Sequence, residues 1–397
     1  MSCGLQRMRP ILLVLLTLDV FSSLSVAQVL NVTCSTGLYP PDPKSKVTET
    51  YVIDLDLPPS QRWNELAKAK SSQMQSLVDS FITFLEDFGT IGQDIVNLID
   101  KEGVDLLNGL PVTFAEEIRG ISLASGMNIG QVVLYNLFYE FSDFCTSIIS
   151  EDLSGELFHA RNLDFGLFFG WDIKNKTWEM TERLRPLIVI LEWRRTGQTV
   201  FKSVSYAGYT GILTAVKPKL FTLTINERGD KHGSGYIGIL KWLLGDRNET
   251  WLGFLTRNVL ENASGFTQAK TMLENTVMLA PAYFILGGNK SGEGVVITRD
   301  RVDNLDTWTM RNASNWYILE TNYDHWNTPP FIDDRRTPAH VCMQRMGQIN
   351  VGFSGLFNVL STRPVLNKGT TYTALMRVST GQLETYIQNC QDPCPPW

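Results

Sequence analysis

The sequence has no Walker loop, no His-Glu-x-x-His and no paired Cys-x-x-Cys motifs. It holds only four histidines, His159, His232, His325 and His340, and none stands at metal-ligand spacing from another. It therefore offers no zinc motif, and no cofactor is implied. His159 or His325 could in principle serve a Cys–His pair, but neither lies in a supporting local motif. Each reads more simply as a surface or hydrogen-bonded residue. Clustered positive charge is missing too: the net charge is −6 with no polybasic block. That excludes nucleic acid as a partner, because phosphate binding needs grouped Lys and Arg. Beyond the first 27 residues, no apolar run approaches the roughly 18 residues that a membrane-spanning helix requires.

Residues 1–27 read as a signal peptide. Arg7 and Arg9 supply its positive end, Ile11 to Val20 its apolar stretch, and Ser25-Val26-Ala27 a small-x-small cleavage site. Entry to the secretory pathway gives meaning to the Asn-x-Ser/Thr sites at Asn31, Asn175, Asn248, Asn262, Asn289 and Asn312, which are expected to be glycosylated and on the surface. Cys3 leaves with the leader. The mature chain keeps Cys34, Cys145, Cys342, Cys390 and Cys394, an odd number, so at least one is unpaired or pairs with another chain. Cys390 and Cys394 flank a turn-prone spacer and could close a small loop. Cys34 and Cys342 could then pair and leave Cys145 over. The sequence alone does not fix this connectivity.

The 397 residues are 43% hydrophobic, ample for a packed core in one large domain or two modest ones. Residues 28–60 look irregular, with a short strand at Tyr51 to Leu57. From 61 to about 141 the pattern is helical. Met74, Leu77, Val78, Phe81, Ile82 and Leu85 recur at three- and four-residue spacing, and Ile91, Ile95, Leu98 and Ile99 repeat it. Thr113-x-x-Glu116 reads as a capping box opening a third helix, and Asn128 as the cap of a fourth. At 145 the texture changes to short β-branched and aromatic runs: Cys145 to Ser150, Leu157 to Leu163, Leu187 to Trp193, Val200 to Ser205, Ile212 to Val216, Leu220 to Ile225 and Val295 to Thr298. Thr196-Gly197 and similar signals separate them, favouring antiparallel sheet. Helical patterns return around 236–245, 251–262 and 266–275. Helices, then strands, then helices imply an α+β layered fold.

Cys145 draws attention as the candidate unpaired cysteine, placed where helix gives way to strand. The following strand ends in Arg161-Asn162-Leu163-Asp164. In a hairpin, Arg161 and Asp164 would sit near the start of the first strand, where a nucleophilic cysteine needs a base and a polar environment for its thiolate.

Cys145-Thr146-Ser147-Ile148, Arg161-Asn162-Leu163-Asp164-Phe165-Gly166, Thr321-Asn322-Tyr323-Asp324 and Asp333-Asp334-Arg335-Arg336-Thr337 occur in that order. Together they resemble the acid ceramidase and N-acylethanolamine acid amidase group of N-terminal-nucleophile hydrolases, through nearly the whole mature chain. The segment Phe165 to Trp171 with Asn175 and Trp178, and the ending Cys390-x-x-x-Cys394-Pro395-Pro396-Trp397, favour the ceramidase branch. The resemblance implies an αββα sandwich with a mostly helical N-terminal segment. It also implies an inactive precursor that cuts itself between Phe144 and Cys145, giving an α chain of 28–144 and a β chain of 145–397 that stay together as a heterodimer.

By the same resemblance Cys145 is the nucleophile, and its freed α-amino group, with a reference pKa near 7.7–8.0, is the base. Asp164 holds that amine, Arg161 and Arg335 line the site, and Asn322 with a backbone N–H stabilises the oxyanion. Glu227, in Asn226-Glu227-Arg228, is a weaker candidate for orienting polar groups. The implied substrate is ceramide, cut to sphingosine and fatty acid in the lysosome at a membrane surface, with a saposin as helper and some enzyme also secreted. Phe168, Phe169, Trp171 and Trp178 are candidates for the rim of an apolar channel. An N-acylethanolamine acid amidase and a non-catalytic lipid-binding glycoprotein are the alternative readings.

Overall fold

The computed structural model describes residues 32–86, 97, 103–138, 144–165, 170–229, 238, 241, 242, 245 and 247–396; the side chains of 84, 85, 138, 312 and 313 are outside the description. The chain divides into units of residues 1–33 and 34–397, and the fold below is that of the second. The signal-peptide reading, Asn31, the helix expected over Ile91 to Ile99, most of 236–245, and Phe168 and Phe169 lie outside the described residues.

The strands are β1 (Thr50–Asp54), β2 (Phe144–Glu151), β3 (Leu157–Asp164), β4 (Trp171–Asp172), β5 (Thr177–Trp178), β6 (Ile188–Arg195), β7 (Gln198–Tyr206), β8 (Thr214–Lys217), β9 (Phe221–Glu227), β10 (Ala282–Gly287), β11 (Gly294–Arg299), β12 (Asn304–Thr309), β13 (Tyr317–Glu320), β14 (Thr370–Arg377) and β15 (Gln382–Ile387). Eight form one sheet in the order β1-β6-β7-β8-β9-β10-β11-β12. Five form another in the order β13-β2-β3-β14-β15, and β4-β5 is a separate ribbon. The hairpin β6–β7 turns through Thr196 and Gly197, both at positive φ. Two such residues between paired Arg195 and Gln198 make the two-residue turn that suits the twist of antiparallel strands.

The described helices used below are α1 (Ser71–Glu86), α2 (Val112–Ser125), α3 (Ile129–Phe138), α4 (Leu252–Asn262), α5 (Phe266–Asn275), α6 (Arg336–Met346) and α7 (Phe353–Leu360). On α1 the apolar stripe is buried as its spacing predicts, with Met74, Leu77, Val78 and Phe81 inside. The capping box expected at Thr113 does not form. Pro111 takes the cap position of α2 without a side-chain bond, so Thr113 falls inside the first turn. Asn128 does cap α3: its Oδ1 accepts from Gln131 N at 2.8 Å and Gln131 Oε1 accepts from Asn128 N at 3.2 Å.

Helices α4 and α5 cover the larger sheet, and α6 and α7 cover the smaller one. The two sheets face each other, as side chains bonded across the gap show. Ser147 Oγ donates to Asn226 Oδ1 at 3.0 Å, and His159 sits between the hydroxyls of Thr222 and Thr224 at 2.9 and 3.0 Å. This is the α+β, αββα layering expected. The N-terminal helices join the same apolar core. Tyr135 OH donates to Ala207 O at 2.6 Å, and Thr210 N donates to Asn136 Oδ1 at 2.8 Å.

Candidate active site

Strands β2 and β3 form the hairpin expected, with Phe144 opposite Asp164, Cys145 opposite Leu163, and Ser147 opposite Arg161. Because side chains alternate along a strand, Cys145, Ser147, His159 and Arg161 all point to the face between the sheets. Cys145 and Arg161 are therefore diagonal neighbours. Both are wholly buried, and Arg161 Nη2 donates to Cys145 Sγ. The other end of that guanidinium is fixed: Nη1 donates to Leu213 O at 3.1 Å and Thr214 Oγ1 at 2.8 Å.

The main chain of Cys145 is gripped as well. Its nitrogen donates to Asn322 Oδ1 at 2.8 Å, and its carbonyl oxygen accepts from Arg335 Nη1 at 2.9 Å. Arg335 Nη2 donates to the same Asn322 Oδ1 at 2.8 Å, while Asn322 Nδ2 donates to Glu227 O at 2.8 Å. Two donors on one atom and an acceptor at the other settle which way the amide faces. Arg335 also lies over the Phe144 ring, 5.4 Å from its centroid, so it touches residues on both sides of the 144–145 bond.

Asp164 stands at the end of β3. Its Oδ2 accepts from Arg335 Nη1 at 3.1 Å and Asn367 Nδ2 at 3.2 Å, and its Oδ1 accepts from Thr370 Oγ1 at 2.6 Å. Burial pushes the Asp164 carboxyl upward against the pull of Arg335, Thr370 and Asn367. Burial acts against the Arg335 charge, and Asp333 and Asp164 outweigh it, moving that guanidinium further up. Asp333 meets Arg335 Nε at 2.7 Å and Nη2 at 3.1 Å. Tyr323 OH donates to Asp333 at 2.8 Å, so the loop carrying Asn322 is tied to the start of α6.

Thus Cys145, Arg161, Asp164, Asn322 and Arg335 converge. Glu227 reaches the group through its backbone carbonyl. Sequence reasoning missed Asn367, Thr370, Thr214 and Asn226. Asn226 Nδ2 donates to Glu320 O at 3.2 Å and Thr321 O at 2.8 Å, fixing the peptide just before Asn322. Asn367-Lys368-Gly369-Thr370 is a turn signal in the sequence, but nothing in it points to a carboxylate more than 200 residues away.

The histidines stand apart. Burial, with Arg161 adding to it, lowers His159 to about 3, so it is a neutral inter-sheet residue. His340 bonds Tyr317 OH at 2.6 Å, and His325 stacks on Trp308 at 4.3 Å. His232 lies outside the described residues.

Cysteine connectivity, left open by the sequence, is Cys34–Cys342 and Cys390–Cys394, and Cys145 takes part in neither disulfide. Asn175, Asn248, Asn262 and Asn289 are exposed, as glycan acceptors must be. Trp171 is partly exposed, whereas Trp178 is buried with its indole N–H donating to Pro396 O at 2.7 Å. Trp178 is an anchor of the β4–β5 ribbon. Among the described residues no group of three or more His, Cys, Asp or Glu could hold a metal ion, and no helix is long and apolar enough to cross a membrane.

A family model described as linear amide C–N hydrolases, choloylglycine hydrolase family, matches residues 145–391. A second, the beta subunit of N-acylethanolamine-hydrolyzing acid amidase, matches residues 48–110. The acid ceramidase of Homo sapiens is 48% identical over 367 residues, 92% of each chain. That of Mus musculus is 45% identical over 367 residues, 92% of this chain and 93% of its own. The solved structure of the Caenorhabditis elegans N-acylethanolamine-hydrolyzing acid amidase ortholog is 28% identical with a TM-score of 0.52, spanning 62% of this chain and 100% of that one.

Proposed function

This chain belongs to the acid ceramidases, within the linear amide C–N hydrolases of the choloylglycine hydrolase family, and from that premise we propose that it cuts itself before Cys145 and then hydrolyses ceramide to sphingosine and a fatty acid. It is an amide hydrolase. The observation that carries the mechanistic reading is the separate hold on the nitrogen, sulfur and carbonyl of Cys145, the residue at which the hydrolase match begins.

In the precursor, Cys145 Sγ attacks the carbonyl carbon of Phe144. The C–N bond breaks as the acyl group passes to sulfur, and the nitrogen leaves as an amine. Water then hydrolyses the thioester, giving a carboxylate on Phe144 and restoring the thiol. The Arg161 guanidinium beside the sulfur favours negative charge on it, so the nucleophile is held ready without a histidine.

In turnover the freed α-amino group takes the thiol proton, and sulfur attacks the amide carbonyl of the lipid. By the family resemblance the Asn322 side chain is the oxyanion donor, a contribution on the order of 3 kcal/mol. The amine passes its proton to the departing sphingosine nitrogen, and water releases the fatty acid. Asn322 Oδ1 and Asp164 keep the amine oriented. In an acidic compartment an unperturbed amine would be protonated. Arg161 and Arg335 oppose the ammonium while Asp164 favours it, and amine and thiol titrate as a coupled pair.

The amidase resemblance over 48–110 and the nematode structure favour one second reading, N-acylethanolamine hydrolysis. Mass spectrometry of products from ceramide and N-palmitoylethanolamine, assayed side by side, separates the two. Faster sphingosine release supports the ceramidase reading, and a preference for the ethanolamide overturns it. We place the enzyme in the lysosome, acting at a membrane surface with a saposin helper, as a heterodimer of 28–144 and 145–397.

A further inference from the structure

The C-terminal residues fold back onto the turn that holds Asp164. Cys390 and Cys394 close a small loop, with Cys390 buried. Pro395 O accepts from Lys368 N at 2.9 Å, and Asp392 Oδ1 pairs with Lys368 Nζ at 3.0 Å. Gln391 O accepts from Arg363 Nη2 at 2.8 Å. On the other side Asp392 Oδ2 pairs with Lys176 Nζ at 3.4 Å, and Pro396 O accepts from the Trp178 indole. Lys368 belongs to the turn Asn367-Lys368-Gly369-Thr370. That turn is closed by Gly369 N donating to Asn367 Oδ1 at 2.8 Å and by Asn367 N donating to Thr370 Oγ1 at 3.1 Å. With a main-chain N–H already at its lone pair, the Thr370 hydroxyl sends its own hydrogen to Asp164.

We propose that the loop closed by Cys390 and Cys394 is a positioning element for the reaction: it fixes the main chain of Lys368, and through the 367–370 turn it aims two donors at Asp164. The inference rests on the reading of Asp164 as a residue of the reaction. The exposed ion pairs of Asp392 contribute little alone. The disulfide and the main-chain bond to Pro395 remove the freedom of the turn. If the turn loosens, a buried carboxylate loses hydrogen bonds made to its charged form, and protonation becomes easier. The charged groups that act on Asp164 from outside the turn, Arg335 and Asp333 just before α6, stay in place, as does Arg185, which reaches the turn by donating to Thr370 O at 3.4 Å.

The test uses the secreted full-length protein after self-cleavage, assayed on ceramide across acid pH. The Cys390→Ser/Cys394→Ser double variant should lose roughly 3- to 10-fold in kcat with KM within about twofold, and the acid limb of its pH–rate profile should move to higher pH. Asp392→Asn and Lys368→Met should move it the same way by less. A folded double variant with an unchanged acid limb, or with the same loss at every pH, overturns the inference. Should the double variant not fold, an unshifted limb in both single variants overturns it. Asp164→Asn run alongside separates the layers. If that variant keeps full activity, the role assigned to Asp164 fails. If it is inactive while the loop variants are normal, only the positioning role fails.

Discussion

Cys145 presents three atoms to three partners: nitrogen to Asn322, sulfur to Arg161, carbonyl oxygen to Arg335. Removing each partner should therefore fail in its own way. On the proposed mechanism Asn322→Ala takes away an oxyanion donor and should lower kcat by about 10²- to 10³-fold with little change in KM. Single-turnover release of fatty acid by the processed enzyme checks this. Arg161→Lys should not rescue what Arg161→Met loses. One ammonium cannot reach the sulfur, Leu213 O and Thr214 Oγ1 together, as the planar guanidinium does. Thiol alkylation at acid pH should be slowed in both variants, and a Lys variant with the wild-type rate would contradict this. At this scale the sequence was informative. Cys145 was legible from an odd cysteine count and a change of texture, and Arg161 and Asp164 from hairpin geometry. Asn367 and Thr370 were not, because they reach Asp164 only when β14 pairs with β3, a contact between strands distant in the sequence.

Two strands carry buried titratable groups that act in opposite directions. Glu320 on β13 is pushed up to about 8, chiefly by burial. Its stabilising proton is bound at low pH, fully present below the ordinary 4.5 and lost as pH rises through about 8. His159 on β3 is lowered to about 3 by burial. Its contribution is present above the ordinary 6.5 and is lost as pH falls towards 3. Between about 4.5 and 6.5 the two slopes cancel, so stability should be flat in that window and fall on either side. Denaturant midpoints at several pH values measure it. Glu320→Gln should leave stability rising through that window and level above about 6.5, and His159→Gln should leave it level below about 4.5 and falling through the window. A midpoint that rises steadily from pH 5 to 8 would contradict the assignment.

Element type was readable where one face is apolar and the other polar, as on α1, and where turn chemistry is explicit, as at Thr196-Gly197. It was not readable for β10, β14 or β13. β10 and β14 are buried almost throughout, so alternation fades, and β13 is only four residues long. The Thr113 capping box was a misreading because Pro111, two residues upstream, sets where α2 starts.

Across the whole molecule, two devices add to the β1–β6 pairing and the shared core in holding the N-terminal segment to the rest after the proposed cut. One is covalent, Cys34–Cys342. The other is the buried carboxylate of Glu117, which accepts from both terminal nitrogens of Arg257, from Arg62 Nη1 at 3.0 Å and from Trp63 Nε1 at 2.9 Å. Gels of the processed protein should show one band without reductant and two with it. Glu117→Gln leaves the buried Arg257 charge to Glu261 Oε1 alone, at 2.9 Å, and should cost up to about 3 kcal/mol in denaturant unfolding. Layering was legible from the helix–strand–helix order. The grip of the N-terminal segment was not, since Glu117 and Arg257 are ordinary polar residues until α2 and α4 bring them together.

Self-cleavage at the bond before Cys145 is the step most directly open to measurement. Purified precursor, brought to acid pH and followed by N-terminal sequencing, should yield a new chain beginning Cys-Thr-Ser-Ile, and Cys145→Ala should yield none. A processed chain starting elsewhere, or the same cut in the Cys145→Ala variant, would contradict it.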